Sequence, residues 1–177
     1  MGPPDTELVA RVLASDDRGA YAELVRRHQS AVRGLLRRLC AGDAAQADDL
    51  AQETFLRAYR SLRSWRGGGR LSTWLYRIAW NGWASQARRR PLPDLPAPAP
   101  ARDAADAAID RHDLARAMAS LRADERAALA LAYGQDVTHE EAAAILDCPV
   151  GTLKTNILRG KEKLRRILAP QGAGGTP

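Results

Sequence analysis

Apolar residues recur at helical spacing along most of the chain, and no stretch of useful length alternates with the period of a strand. The spacing predicts a short first helix from Asp5 to about Ala14, capped by Asp5 or Thr6. From about Asp17, the stripe Tyr21, Leu24, Val25, Val32, Leu35, Leu36 and Leu39 predicts a second helix that Gly42 stops. A third begins near Ala44 with Leu50, Phe55, Leu56, Tyr59 and Leu62, and ends before the triplet Gly67-Gly68-Gly69. A fourth, capped by Ser72 or Thr73, carries Trp74, Leu75, Ile78, Ala79 and Gly82 to about Arg88.

Four further helices are predicted nearer the C-terminus. Residues of about 105–120 carry Ile109, Leu114 and Met118, and residues of about 123–133 carry Leu129, Leu131 and Tyr133 up to Gly134. Thr138 and Glu141 fit a capping box, which opens a helix to Leu146. Pro149 suits the first turn of a last helix reaching about Ala169. Between the two sets lies PLPDLPAPAPARDAAD, with five of the ten prolines at 91–100, through which no helix passes. The fold class expected is all-α: two small helical domains, 1–90 and 109–169, joined by a flexible Pro/Ala-rich linker at 91–108 and followed by a disordered tail at 170–177.

Composition narrows this picture. Hydrophobic residues make up 45% and aromatics only 5%, so the core is thin, aliphatic and suited to packed helices. The apolar runs are short and broken by arginine, the N-terminus has no basic and apolar leader, and the two cysteines, Cys40 and Cys148, read as reduced thiols. A secreted, membrane-embedded or disulfide-held protein is thereby disfavoured, and a cytoplasmic one expected.

The net charge of +6 is unevenly placed. Residues 1–90 carry 16 arginines against 9 acidic residues, and residues 148–169 carry 6 basic residues against 1 acidic. Residues 109–147 carry 4 basic against 8 acidic. Two basic blocks separated by an acidic stretch are what two separate anion contacts would look like; solvated helix faces are the plainer alternative.

Three segments carry candidate chemistry. In SWRGGGRLSTWLYRIAWNGWASQARRR, residues 64–90, all four tryptophans fall within 65–83, among Arg66, Arg70, Arg77 and the run Arg88-Arg89-Arg90. Aromatic faces stack on unpaired bases at about 1–3 kcal/mol per base while arginine follows phosphates. The glycines let a backbone approach a base or sugar. On a helical wheel Leu75, Ile78, Ala79 and Gly82 share a face, with Tyr76, Trp80 and Trp83 on the other side, so one thin core does not accommodate every ring. Helices 138–147 and 149–166 form a helix-turn-helix pattern. Gly151, Thr152, Lys154, Thr155, Asn156 and Arg159 near the start of the second suit base edges, and Lys161, Lys163, Arg165 and Arg166 suit phosphates. Asp48, Asp49, Gln52 and Glu53 form an acidic patch, read equally as helix-dipole partners or as a protein contact; they lack the convergent partners of a metal site, and no metal or cofactor is expected.

Together these segments resemble the extracytoplasmic-function (ECF) sigma factors, the small bacterial type with only the second and fourth conserved regions. The resemblance covers about 18–90 and 109–168 and rests on DDLAQETFLRAYRSL, SWRGGGRLSTWLYRIAWN and CPVGTLKTNILRGKEKL. It implies that Asp49, Gln52, Glu53, Leu56 and Arg57 bind the β′ clamp helices of core RNA polymerase. It implies that Trp65, Arg66, Gly68, Arg70, Ser72, Thr73, Trp74, Tyr76, Arg77, Asn81, Arg88 and Arg89 serve the melted −10 element, some as supports of the loop. Gly151, Thr152, Lys154, Thr155, Asn156, Leu158, Arg159 and Lys161 fall where the family faces the −35 element. The implied partners are core polymerase (β′ clamp helices and β flap), promoter DNA and, as a candidate, an anti-sigma factor, with no membrane and a monomeric free state. Trp80 and Trp83 depart from the family in being larger than usual, and read as packing or partner contacts; Asn156 stands where arginine is common.

The implied activity is that of a non-catalytic specificity subunit. One alternative is a stand-alone helix-turn-helix regulator of duplex DNA, which leaves the tryptophan-rich loop unexplained. The other is a metal-dependent nuclease on Asp48, Asp49 and Glu53. A free chain whose two domains pack together and mask their DNA faces is a further expectation.

Overall fold

The computed structural model describes residues 2–89 and 111–168, and within them every regular element is helical. The expected linker, the tail, Arg90 and residues 105–110 lie outside the described residues. The elements are α1 (Asp5–Ser15), α2 (Arg18–Leu39), α3 (Ala44–Ser61), a 3-10 turn (Leu62–Ser64), α4 (Leu71–Arg89), α5 (Arg111–Ala119), α6 (Ala123–Gly134), α7 (His139–Leu146) and α8 (Val150–Leu168).

Local chemistry sets the boundaries. Asp17 accepts from the Ala20 N–H at 2.9 Å to start α2, and Asp43 accepts from the Gln46 N–H at 2.9 Å to start α3. The Thr138–Glu141 capping box forms as expected, with reciprocal bonds of 3.1 and 2.8 Å. Asp147 then closes α7 in the left-handed region at φ 53°. Two expected caps are absent. Pro4 precedes α1 and gives no side-chain cap, and α4 begins at Leu71, which puts Ser72 and Thr73 inside its first turn. Leu71 is buried, and this apolar anchor brings the helix start forward. Gly134 is the last residue of α6 rather than its stop.

In the N-terminal half α2, α3 and α4 pack against one another, and α1 lies across α2. The Leu24, Val32, Leu35, Leu36 and Leu39 side of α2 meets Leu50, Ala51 and Ala58 of α3 and Leu75 and Ala79 of α4. In the C-terminal half α6 packs on α8, with α5 and α7 flanking. Gly160 makes the approach of α8 possible, since a Cβ there would stand 2.7 Å from Leu129 Cδ1.

The two halves pack on each other. α6 lies against α2, and α7 against α4. This explains why α6 is buried on all sides from Glu125 to Leu131, a pattern that one face of an ordinary amphipathic helix does not produce. It also corrects the expected rings of α4. Tyr76 and Trp83 are buried along with Leu75 and Ala79, because α4 has a second packed side. Trp83 stacks on Trp80 with centroids 5.4 Å apart, so both act as packing residues.

At this seam sits Arg126. Its Nη1 donates to the Leu39 carbonyl at 2.9 Å, and its Nη2 to the carbonyls of Ala119 at 2.6 Å and Leu121 at 3.2 Å. Leu39 and Ala119 are the last residues of α2 and α5, so one guanidinium satisfies carbonyls that helix ends leave unpaired and meets the negative end of two helix dipoles. The guanidinium carbon also lies 5.7 Å from the Trp83 ring centroid. Burial pulls the Arg126 pKa down from its ordinary value.

Candidate nucleic-acid interface

Three surfaces collect the residues singled out from the sequence. The first is on α3, where Asp49, Gln52, Glu53, Leu56 and Arg57 lie at spacings of three and four and so form one outward stripe. Leu56 is 53% exposed, a large apolar side chain left without cover. Arg57 Nε donates to Glu53 Oε1 at 2.6 Å. Beside the stripe runs a groove of about 560 Å³ between α2 and α3, lined by Tyr21, Val25, Phe55, Leu56 and Tyr59 among others. Asp48 turns aside: its Oδ1 lies 3.4 Å from Arg33 Nε on α2, a charge contact without hydrogen-bond geometry. The three carboxylates considered for a nuclease therefore do not converge, since Asp48 faces Arg33 and Glu53 faces Arg57.

The second surface is the loop before α4. The 3-10 turn ends at Trp65, whose N–H bonds the Leu62 carbonyl at 3.1 Å. Gly67 then takes φ 72°, a conformation that favours glycine, and a Cβ at Gly68 or Gly69 would meet nothing within 4 Å. Arg66, Gly68 and Arg70 are exposed, while Trp65 is half-buried against the core. Behind the loop lies a pocket of about 410 Å³. Trp65, Gly69, Arg70, Leu71, Ser72 and Tyr76 line it. Tyr76 is 5% exposed and forms part of the pocket wall, and burial pushes its phenol pKa up. Trp74 and Thr73 are half-buried beside it. Along α4 the exposed side chains Arg77, Asn81 and Arg88 share a face, with Arg89 next to it, and they continue a basic edge away from the pocket.

Sequence reasoning missed what closes this pocket. Pro4, Asp5 and Thr6 at the chain's N-terminal end line it, as does Asp136 from the far half of the chain. Arg70 Nη1 donates to Asp136 Oδ2 at 3.1 Å, and Arg70 Nε lies 3.7 Å from Glu141 Oε1. Thr73 Oγ1 lies 3.4 Å from the same Glu141 oxygen. The acidic balance of residues 109–147 was the available signal, but it does not say which acids turn toward the loop.

The third surface is α8. Leu153, Ile157 and Gly160 face inward, and this leaves Gly151, Thr152, Lys154, Thr155, Leu158, Arg159 and Lys161 exposed and Asn156 half-exposed. Thr155 Oγ1 donates to the Gly151 carbonyl at 2.9 Å, and Lys161 Nζ lies 3.2 Å from the Tyr133 hydroxyl. Lys163, expected to reach outward, is drawn in: its ammonium bonds both oxygens of the buried Glu125 at 2.7 and 2.8 Å. Burial pushes the Glu125 carboxyl up, but Lys163 and the Arg122 N–H outweigh it, so the pKa falls below the ordinary range. Arg165 and Arg166 are exposed, with no such tie among the described residues.

The chain matches the Sigma-70 region 2 family over residues 24–91 and the Sigma-70, region 4 family over residues 111–164. It is 34% identical over 189 residues to the RNA polymerase sigma-H factor of Pseudomonas aeruginosa, covering 94% of each chain. It is 35% identical over 185 residues to the ECF RNA polymerase sigma-E factor of Escherichia coli, covering 94% of this chain and 95% of that one. Among solved structures it is similar to the sigma factor RpoE of Bartonella quintana in complex with the anti-sigma factor NepR. That likeness has a TM-score of 0.69 at 27% identity and covers 86% of this chain and 98% of the other. CnrH, solved with the cytosolic domain of CnrY, shares the fold with a TM-score of 0.73 at 24% identity over 95% of this chain and 99% of that one.

Proposed function

The chain belongs to the sigma-70 family as an ECF RNA polymerase sigma factor, which directs promoter recognition and transcription initiation, and we propose how its surfaces divide that work. Residues 1–90 form the domain that binds core polymerase and the −10 element, 91–108 connect, 109–169 form the −35-binding domain and 170–177 are a tail. The α3 stripe of Asp49, Gln52, Glu53, Leu56 and Arg57 grips the β′ clamp helices, with Leu56 supplying apolar area and the charged residues fixing register. The C-terminal domain also meets the β flap. α8 enters the major groove with Lys154, Thr155, Asn156 and Arg159 toward base edges.

The loop and pocket around Trp65 capture a base from the melted −10 strand. Extruding a base costs a few kcal/mol, which stacking and hydrogen bonds in the pocket must repay. Trp65 and Tyr76 provide ring surface, Arg66, Arg70 and Arg77 provide cations for the phosphates, and the open glycines provide clearance. The protein itself catalyses nothing; it acts in the cytoplasm as the polymerase's specificity subunit. An anti-sigma factor is a further partner, a reading supported by the Bartonella relative that was solved with one.

The pocket carries this assignment, because a stand-alone helix-turn-helix regulator has no use for it. Arg66→Ala and Trp65→Ala should lower promoter opening, read by permanganate reactivity, roughly tenfold per lost base contact while polymerase pull-down is unchanged. Arg66 is exposed, so its variant separates lost DNA contact from lost packing. Equal loss of both readouts would overturn the assignment. A duplex gel shift with and without core polymerase separates the regulator reading, in which polymerase adds nothing.

A further inference from the structure

The pocket beside Trp65 has a wall that the loop does not supply. Asp5 and Thr6 at the start of α1 and His28 of α2 line it together with Trp65, Ser72 and Tyr76. All six belong to the same half of the chain, so this wall travels with the loop. The segment that forms it is fastened at several points. Leu8, Val9 and Val12 are buried and seat α1 on α2. Arg27 Nη1 donates to the Pro3 carbonyl at 2.7 Å and to Asp5 Oδ1 at 3.2 Å, while its Nε donates to Glu23 Oε1 at 2.7 Å. His28 Nε2 lies 2.7 Å from Asp5 Oδ2; a carboxylate oxygen accepts, so the ring nitrogen donates. Each Asp5 oxygen is thus held by one donor and keeps a further lone pair. The Asp5 side chain is 27% exposed, so a ligand in the pocket can reach it.

Charge decides what faces this carboxylate. It repels a phosphate, so a strand whose base enters the pocket must present a base edge there. Adenine, cytosine and guanine carry an exocyclic amine that donates to such an acceptor. Thymine has no amine, and its one ring N–H is flanked by two carbonyl oxygens that a carboxylate repels. We propose that Asp5 is a specificity-determining residue of the −10 pocket, accepting from the amine of the captured base and disfavouring thymine, with His28 and Arg27 as positioning residues that aim it. The proposal rests on the loop assignment given above. It makes the start of α1 part of the −10 site, alongside the loop and α4.

Asp5→Asn keeps the size of the side chain and sets a donor beside the remaining acceptor. Glu7→Gln, at an exposed acid in the same first turn of α1, is the control for lost charge and for the helix dipole. The holoenzyme, reconstituted with core polymerase, transcribes a library of random-sequence promoters, each barcoded in its transcript, and sequencing gives the base preference at every −10 position. The wild type should disfavour thymine roughly tenfold at one of these positions, as a hydrogen bond to a charged acceptor implies. Asp5→Asn should abolish that discrimination and leave the other positions as they were, and Glu7→Gln should match the wild type. His28→Ala should weaken the same discrimination, and His28→Gln, which restores a donor, should recover it. A wild type that accepts thymine throughout the −10 element overturns the inference. So does an Asp5→Asn variant whose preferences are unaltered, or one that uses every base less well to the same degree. Trp65→Ala keeps the two levels apart. If it shifts −10 selection or lowers promoter opening while Asp5→Asn shifts nothing, the role of Asp5 alone falls. If Trp65→Ala leaves both opening and −10 selection as in the wild type, the loop assignment beneath it falls.

Discussion

Residues 64–89 and residues 150–166 each set basic side chains on or beside a helix, yet the fold leaves them in different states. α8 is fastened on one side by Leu153, Ile157 and Gly160, and its other side points Lys154, Thr155 and Arg159 into solvent. α4 is fastened on two sides, by α2 and α3 and by the C-terminal half, and the Arg70 beside it is already paired. A basic segment thus signals an anion contact, but packing decides whether that contact is open. The basic side of α8 stands open without any rearrangement of its own half. At the loop, two acids of the other half already stand on Arg70.

The sharpest way to break the α8 side of the comparison is to remove what fastens it. Leu153 of α8 is fully buried, and Leu153→Ala should cost about 2–5 kcal/mol, read as a lowered urea midpoint. Lys154→Ala, one residue on, should move that midpoint by no more than about 0.5 kcal/mol. If both variants lost stability equally, the division of α8 into an anchoring and a reading side would fail. The next effect concerns specificity alone. Lys154→Ala and Thr155→Ala should each relax −35 selection by about 1–3 kcal/mol per lost base contact, measured by competition among promoter variants. Unchanged selection would place the reading side elsewhere.

Much of this division is legible in the residues. Leu153, Ile157 and the capping pair Thr138 and Glu141 announce two helices and an inward face, because spacing and caps are local rules. Apart from the start of the fifth helix, which lies outside the described residues, the helix bounds are found to within a few residues, and the shared face of Asp49, Gln52 and Glu53 follows from the same periodicity. What spacing does not show is the second packed side of α4 and α6. Tyr76, Trp80 and Trp83 read as surplus rings because a wheel describes one helix, while Arg126, which lies over the Trp83 ring, is more than 40 positions away along the chain. Arg126 had a readable signal, a lone cation ahead of the run Ala127–Leu131, which must find partners if it is buried. Nothing local says that those partners are the ends of α2 and α5. Asp136 and Glu141 were likewise visible only as negative charge, and Glu141 was already accounted for by its cap.

The smallest effect lies within the basic end of α8, where the same distinction between free and tied cations recurs. Arg165 and Arg166 are exposed, while Lys163 is bound to Glu125, whose side chain is 4% exposed. Each phosphate contact adds about 0.9 to the slope of log affinity against log salt. Arg165→Ala should therefore lower the slope of duplex binding by about that amount, and Lys163→Ala should leave it unchanged. Lys163→Ala should be felt in stability instead. The Glu125 carboxyl lies below its ordinary value of 4.5 in the folded chain, so the folded state holds fewer protons there than the unfolded one. Its stabilisation is present above pH 4.5 and is lost as pH falls through the lower folded value. The urea midpoints of wild type and Lys163→Ala should thus differ most near neutrality and converge as the solution is acidified. A gap that stays constant with pH would mean that Lys163 acts through packing of its stem, and a reduced salt slope would return it to the phosphate-facing set with Arg165.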